Sequence, residues 1–122
     1  MKLSESVAHK LGGRGEDAVR AYLEGLGYEF SAENYFTKYG ELDLVMMKGG
    51  EAVFVEVKTR KRAAARDPFE SINEKKQGRI KKAAEMWLSC QEKEYSCRFD
   101  CASVYLPEDG EARILYLEDA FC

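Results

Sequence analysis

The chain has 122 residues, enough to bury one hydrophobic core but short for two domains. Its composition, 45% hydrophobic and 34% charged, is typical of a soluble globular protein, and no apolar run approaches the roughly 20 residues of a membrane span. The first ten residues lack the apolar centre of a signal peptide, so we expect a cytoplasmic protein. We predict a single domain over residues 1–122, with residues 1–11 as a flexible lead.

The four cysteines do not indicate a disulfide framework or a zinc site. They are Cys90, Cys97, Cys101 and Cys122, no two of them form a Cys-x-x-Cys pair, and the single histidine, His9, is far away in sequence. A cytosolic domain of this length does not need covalent cross-links. We expect Cys97 and Cys101 to pack along one strand as small apolar residues.

The first predicted helix follows the glycine-rich stretch from Gly12 to Gly15. Gly27 ends it, and its apolar residues recur at helical spacing, at Val19, Tyr22, Leu23 and Leu26. Glu16 lies about 20° from Leu23 around the helix axis, at the border of the buried face. Two explanations stay open for this carboxylate: a first-turn acid favoured by the helix dipole, or a ligand reaching a functional site.

The centre of the chain predicts three strands, of which the last two form a hairpin. A first strand runs from Tyr28 to Phe36, and two further β-rich runs, Glu41 to Met47 and Glu51 to Lys58, flank the pair Gly49-Gly50. Glycine adopts positive φ without strain, so this pair predicts a two-residue turn. Alternation along the last run predicts a core face formed by Val53, Val55 and Val57.

Counting from that turn places four ionisable groups on the other face of the hairpin. Asp43 faces Glu56, and Glu41 faces Lys58. Cross-strand Cβ atoms are roughly 5 Å apart, so two facing carboxylates repel each other unless a cation lies between them. Mg²⁺ takes oxygen ligands of this kind, and Lys58 would reach its water or a phosphate. The alternative is an ordinary solvated face, with a Glu41–Lys58 ion pair and Asp43 unused.

The rest of the chain predicts a polar loop, a second helix and two strands. The loop spans Lys61 to Phe69, and either Ser71 or Asn73 caps the helix that follows. The two strands run from Cys97 to Leu106 and from Ala112 to Leu117. The apolar face of the helix comprises Ile80, Ala83, Ala84, Trp87 and Leu88. This element order predicts an α/β fold, a mixed sheet flanked by helices.

Charge is distributed unevenly along the chain. The segment from Lys58 to Lys82 holds ten Lys or Arg and three Asp or Glu, a balance of +7, which leaves −10 for the rest of a chain whose net charge is −3. A cationic segment beside an acidic site suits a phosphate backbone, because neutralised phosphates release counterions. A merely solvated run of charges is the alternative. Asp100 is a second-tier site candidate, and we expect that it cannot easily form an ion pair with Arg98 because the two would lie on opposite strand faces.

The hairpin resembles the active-site signature of the restriction-endonuclease-like, PD-(D/E)xK nucleases, in which Asp on one strand precedes Glu-x-Lys on the next. The matching residues are Asp43, Glu56 and Lys58, and Leu42 replaces the proline of the signature. A wider resemblance, from about Gly12 to Phe121, is to the YraN family of small bacterial endonucleases, which are similar to archaeal Holliday junction resolvases. In order and spacing it rests on GRGEDAVRAYLEGLGY, NYFTKYGELDLV, VFVEVKTR, KKQGRIKKAAEMWL, RFD and a terminal AF.

The resemblance implies a restriction-endonuclease-like fold and metal-dependent hydrolysis of nucleic acid, DNA rather than RNA, in repair or recombination. It implies that Asp43, Glu56 and the Val57 carbonyl bind Mg²⁺ or Mn²⁺, that Glu16 joins them, and that Lys58 assists the nucleophile. Side chains expected to contact nucleic acid are those of Arg14, Arg60, Lys75, Lys76, Gln77 and Arg79. Analogy with junction-cutting relatives implies a homodimer. Three alternatives stay open: a non-catalytic nucleic-acid-binding module, a protein that docks an acidic protein surface, and a nuclease acting on RNA.

Overall fold

The computed structural model describes residues 14–60, 72–108 and 110–122. The predicted lead 1–11, the predicted loop 61–69 and the side chain of Arg14 lie outside this description. The described elements are α1 (Arg14–Gly25), β1 (Glu29–Thr37), β2 (Gly40–Lys48), β3 (Glu51–Arg60), α2 (Glu74–Ser89), β4 (Ser96–Tyr105) and β5 (Arg113–Phe121). Their order confirms the predicted one. Neither described helix is long and apolar enough to cross a bilayer.

The described strands form one five-stranded sheet in chain order. Neighbouring strands are antiparallel except β3 and β4, which are parallel, so the chain must return between them through the segment that contains α2. The sheet is therefore mixed, and this confirms the predicted α/β architecture.

Each face of the sheet carries its own hydrophobic core. On one face α1 packs Val19 and Leu23 against the alternate valines of β3, as predicted. On the other face α2 packs against the intervening residues of β3, and the rings of Trp87 and Phe54 meet edge to face with centroids 5.6 Å apart. One helix thus covers each face. The first turn of α1, at Gly15, lies against the C-terminal end of β3, at Val57 and Thr59.

The two helices refine the predicted apolar stripes. In α1, Tyr22 and Leu26 are exposed and Ala18 is buried in their place, because the helix ends before Leu26 and the stripe is narrower than predicted. In α2, the side chain of Asn73 accepts a hydrogen bond from the backbone N–H of Lys76 at 2.9 Å, so Asn73 is the N-cap.

A hydrogen-bonded cluster in β4 and β5 surrounds Asp100, which is fully buried. Both oxygens of Asp100 accept hydrogen bonds from the Arg98 guanidinium at 2.8 Å, and further donors are the Tyr116 hydroxyl and the Asp119 backbone N–H. The expected difficulty of an Arg98–Asp100 pair was wrong, because residues two apart on a strand share a face. The hydrogen bonds to Asp100 raise the pKa of Arg98, so this charge pair is a stable part of the fold.

Cys97 is exposed, contrary to prediction, whereas Cys101 is buried.

Candidate functional site

The candidate site lies where the pairing of β2 with β3 ends. The ladder runs as predicted from Lys48 opposite Glu51 to Leu44 opposite Val55. Beyond this last pair, the N–H of Val57, two residues after Val55, donates to Oδ2 of Asp43, one residue before Leu44, at 2.8 Å. A side-chain carboxylate has therefore replaced a backbone carbonyl as the acceptor, and this fixes the orientation of Asp43.

β2 changes face at this point. Leu44 belongs to the core under α1, whereas Leu42, two residues earlier, belongs to the core under α2. On β1 the residue opposite Asp43 is Asn34, whose φ of 49° is left-handed. The predicted placement of all four hairpin charges on one face is therefore wrong, because regular alternation does not continue through Asp43, and Glu41 lies on the α1 face.

Four carboxylates gather around this irregularity. The pKa of Asp43 is raised to about 8, first because the group is buried and then because Glu56, Glu16 and Glu41 are negatively charged neighbours; the Val57 N–H opposes the shift. Such a pKa means that the charged form of Asp43 is disfavoured at this position. Glu41 was predicted only as the partner of Lys58. The sequence feature that could have indicated its place near Asp43 is its position two residues earlier on the same strand.

Glu16 reaches this cluster from the first turn of α1. It is partly buried, as the helical angle from Leu23 predicted. Burial raises the pKa of Glu16, and the charges of Glu33 and Glu41 raise it further. The charge of Glu16 also contributes to the raised pKa of Asp43, so the two carboxyl groups are electrostatic neighbours, and the role of Glu16 as a site ligand stays a prediction.

Glu56 approaches from β3 on the side of the sheet covered by α2. Its carboxylate Oε1 lies 2.7 Å from the Lys76 ammonium, and its side chain is only 10% exposed. Lys76 was predicted to contact nucleic acid, and in the structure its ammonium forms an ion pair with this site residue. The sequence did not indicate this contact, since helical periodicity puts Lys76 among outward-facing cations.

Two further groups of the predicted site lie on β3. In an extended strand the N–H and C=O of one residue point to the same side, so the Val57 carbonyl points toward β2 and the gap containing Asp43. Lys58 follows and its side chain is exposed. The Val57 carbonyl and Lys58 therefore both lie just beyond the last pair of the β2–β3 ladder, Leu44 with Val55, and the predicted Glu41–Lys58 pair is not part of it.

The donor set is compatible with a divalent ion. Among the described residues, no group of three His, Cys, Asp or Glu side chains is already arranged to bind a metal. Carboxylates and a backbone carbonyl are nevertheless the oxygen ligands that Mg²⁺ and Mn²⁺ take. The raised pKa of Asp43 marks the place where a cation would relieve repulsion. Asp43, Glu56 and the Val57 carbonyl are thus the groups that fit such an ion.

The predicted nucleic-acid-binding residues have different surroundings. Lys75 and Arg79 are exposed on α2. Gln77 donates its side-chain amide to the Ile72 carbonyl at 3.2 Å, so part of its hydrogen-bonding capacity is used inside the protein. Arg60, at the end of β3, is partly buried. Arg14 begins α1.

Comparison with known proteins gives one family. The model of "Uncharacterised protein family UPF0102" matches residues 15–104. A UPF0102 protein of Syntrophomonas wolfei is 40% identical over 113 residues, which cover 92% of this chain and 97% of that protein. UPF0102 proteins of Rhodococcus opacus and Alkaliphilus metalliredigens are 36% and 37% identical over 118 and 116 residues, each covering 94% of this chain and 100% of the relative. The chain therefore belongs to the UPF0102 family.

Proposed function

We propose that this protein is a metal-dependent nuclease that hydrolyses phosphodiester bonds, acting as a structure-selective DNA endonuclease. The observation that carries the proposal is the partly buried Asp43 carboxylate where the β2–β3 ladder ends, with Glu56, Glu16 and Glu41 near enough for their charges to raise its pKa. The Lys76 ammonium pairs with Glu56, so the cost falls on Asp43, whose charged form is disfavoured by burial and by its acidic neighbours. A site that retains this cost is a candidate for function.

A divalent ion is the cofactor that these groups would hold. Asp43, Glu56 and the Val57 carbonyl are its ligands in this proposal, with Glu16 holding a second ion or a bridging water. The bound ion would supply a water of lowered pKa and would neutralise charge on the phosphate.

The protein's own groups prepare the site for substrate. The Val57 N–H fixes the Asp43 carboxylate, so little orientation is left to be lost on binding. Lys58 carries an exposed ammonium two residues beyond Glu56, on the same side of β3, where it can bind a phosphate oxygen or orient a water. The exposed side chains of Lys75 and Arg79 can bind neighbouring phosphates.

The experiment is cleavage of a substrate panel by wild type and Glu56→Gln with Mg²⁺ or Mn²⁺. The panel contains linear duplex, flap, four-way junction, and single-stranded DNA and RNA. We expect wild type to cut branched DNA and Glu56→Gln to lose at least about 100-fold in rate, because the variant lacks an ionised ligand. Glu85→Gln, which makes the same chemical change at an exposed position of α2, is the matched control.

Two measurements keep this test decisive. Circular dichroism and thermal unfolding show whether Glu56→Gln remains folded, and Asp43→Asn repeats the test at the other carboxylate. Unchanged metal-dependent cutting in both folded variants would refute this site. If wild type cuts only RNA, the protein is still a nuclease at this site, but its substrate is RNA and not DNA.

A second candidate function is a nucleic-acid-binding module without catalysis. The ion pair between Lys76 and Glu56 favours it, because Glu56 is already neutralised without a metal. This function predicts salt-dependent DNA binding that is indifferent to Mg²⁺ and to Lys58→Ala, with no cutting of any substrate in the panel.

A further inference from the structure

An ammonium group already lies against one carboxylate of the candidate site. Lys76 Nζ is 2.7 Å from Glu56 Oε1, the distance of a charge-assisted hydrogen bond, and the side chain of Glu56 is only 10% exposed. Glu56 is also one of the groups whose oxygens fit a divalent ion. Lys76 and such an ion therefore compete for the same carboxylate.

The ion pair compensates Glu56 but not its neighbour. With Lys76 against Glu56, burial and the charges of nearby carboxylates still raise the pKa of Asp43 to about 8. The charged form of Asp43 thus stays disfavoured beside a single ammonium. A divalent ion held by both carboxylates would carry twice the charge and would contact oxygens of each.

Sharing of Glu56 by the two cations is the alternative to exchange. A carboxylate has two oxygens, so one could accept from the ammonium while the other binds metal. The ammonium and the divalent ion would then lie within a few ångströms of each other, at a side chain with little exposure to water. Like charges repel strongly in such surroundings, because water screens them poorly there. Departure of the ammonium removes this repulsion.

The local structure permits the ammonium to leave without movement of α2. The backbone N–H of Lys76 donates to Asn73 Oδ1 at 2.9 Å, and that of Gln77 donates to the Asn73 carbonyl at 2.9 Å, so the first turn of the helix is anchored. The Lys76 side chain is 36% exposed, so rotation about its own bonds brings the ammonium into water. A cation in the first turn gains nothing from the helix dipole, so the dipole does not oppose this movement.

We infer that Lys76 is a displaceable counter-ion, whose ammonium neutralises Glu56 while no divalent ion is bound and leaves Glu56 when one binds. This inference rests on the proposed function, which makes Glu56 a metal ligand. Lys76 then sets the metal concentration at which the site fills, because each ion that binds must first break the ion pair. The Lys76–Glu56 pair is, on this inference, the metal-free state of a metal site.

Metal binding without substrate tests the inference. Mn²⁺ is titrated into protein that has been freed of metal with EDTA and then dialysed, and electron paramagnetic resonance measures the free ion. Lys76→Met keeps an unbranched side chain and removes the charge. We expect it to bind Mn²⁺ at least about fivefold more tightly than wild type, because the competitor is gone.

Lys82→Met is the matched control. It makes the same change on the same helix, but the Lys82 ammonium lies 5.5 Å from the ring centroid of Tyr39. Its Mn²⁺ affinity should differ from that of wild type by less than about twofold, since only screened, longer-range repulsion is lost.

A double-mutant cycle shows whether the gain acts through Glu56. In a Glu56→Gln background, Lys76→Met should no longer tighten Mn²⁺ binding. Thermal unfolding covers the case in which the unpaired Glu56 destabilises Lys76→Met, because Mn²⁺ should then raise its melting temperature more than that of wild type. Unchanged or weaker binding by Lys76→Met, an equal gain in Lys82→Met, or a gain that persists in Glu56→Gln would overturn the inference. Absence of Mn²⁺ binding by both wild type and Lys76→Met would overturn it as well.

The two proposals fail separately. Tighter Mn²⁺ binding by Lys76→Met that requires Glu56, with no cutting of any substrate by wild type, keeps the displaceable counter-ion and rejects the nuclease. Metal-dependent cutting by wild type, with Mn²⁺ affinity indifferent to Lys76→Met, does the reverse.

Discussion

Asp43 is charged only at a cost in the folded protein. Its carboxyl group has an ordinary pKa of 3.8, which burial and neighbouring carboxylates raise to about 8 in the folded chain. The folded state therefore holds this proton more tightly than the unfolded state. The stability that the proton contributes is fully present below about pH 4 and is lost as the pH rises to about 8.

Asp43→Asn should remove this pH dependence. An asparagine can still accept the hydrogen bond from the Val57 N–H through its amide oxygen, but it carries no charge. We expect the variant to be about 1–3 kcal/mol more stable than wild type at pH 8 without divalent metal, and of similar stability at pH 4. Urea unfolding at both values of pH, in EDTA, measures the difference. A variant no more stable than wild type at pH 8 would show that Asp43 ionises without strain.

For individual residues, the sequence predicted which region holds the candidate site, but not the contacts that each side chain makes there. Turn chemistry and alternation correctly brought Asp43 and Glu56 to the same region. The hydrogen bond from the Val57 N–H to Asp43 could not be predicted, because it forms where the regular alternation of β2 fails, opposite the left-handed Asn34 of β1. The ion pair between Lys76 and Glu56 depends on the distance between α2 and the sheet, and helical periodicity in the sequence gives no information about that distance.

The contact between α1 and the end of β3 fixes the position of Glu16. Gly15 is buried, and a Cβ added to it would overlap Thr59 Oγ1 and lie 3.2 Å from Thr59 Cβ and 3.4 Å from Val57 Cγ1. A glycine here lets the first turn of the helix approach the strand that carries Glu56 and the Val57 carbonyl.

Gly15→Ala should therefore destabilise the protein by about 1–3 kcal/mol, because the overlap outweighs the better helix propensity of alanine. In a Thr59→Ala background the same change should cost less by at least about 0.5 kcal/mol, since Oγ1 is gone. Denaturant unfolding of the four proteins gives the coupling. Gly78→Ala, in the interior of α2 with open space around it, should stabilise by about 0.5–1 kcal/mol. Equal effects of Gly15→Ala in both backgrounds would exclude the overlap.

Element boundaries followed the sequence where local signals were strong. The glycine turn and the alternation of β2 and β3 gave both strands to within two residues. β5 is longer than predicted and ends at Phe121 rather than Leu117. Its alternation is interrupted by Asp119, which has a φ of 52°. Pairing resumes at Phe121, whose ring stacks on that of Phe99 with centroids 5.1 Å apart. That contact is tertiary and leaves no local signal.

The uneven charge of the whole chain has a consequence for binding. The excess of positive charge between Lys58 and Lys82 includes the exposed side chains of Lys75 and Arg79. If both contact phosphates, the double variant Lys75→Ala/Arg79→Ala should reduce by about 2 the slope of log affinity for duplex DNA against log salt concentration.

Titration of binding at several salt concentrations measures this slope. Lys93→Ala removes an exposed cation beyond the C-terminal end of α2, outside the basic segment, and should leave the slope unchanged. Equal changes in the two variants would mean that duplex DNA responds only to net charge, and an unchanged slope in both would place the DNA elsewhere.

The two outer strands of the sheet, β1 and β5, are poorly suited to pair with a further strand. Each contains a left-handed residue, Asn34 in β1 and Asp119 in β5, and each has a shift in strand register, between Phe30 and Ala32 in β1 and around Asp119 in β5. Exposed acids, Glu33 and Glu118 among them, stand along the same strands. Bent, charged edges resist the strand addition that starts aggregation. A second copy in the implied homodimer would therefore have to meet a helix or a sheet face, and concentrated solutions of the protein should resist fibril growth.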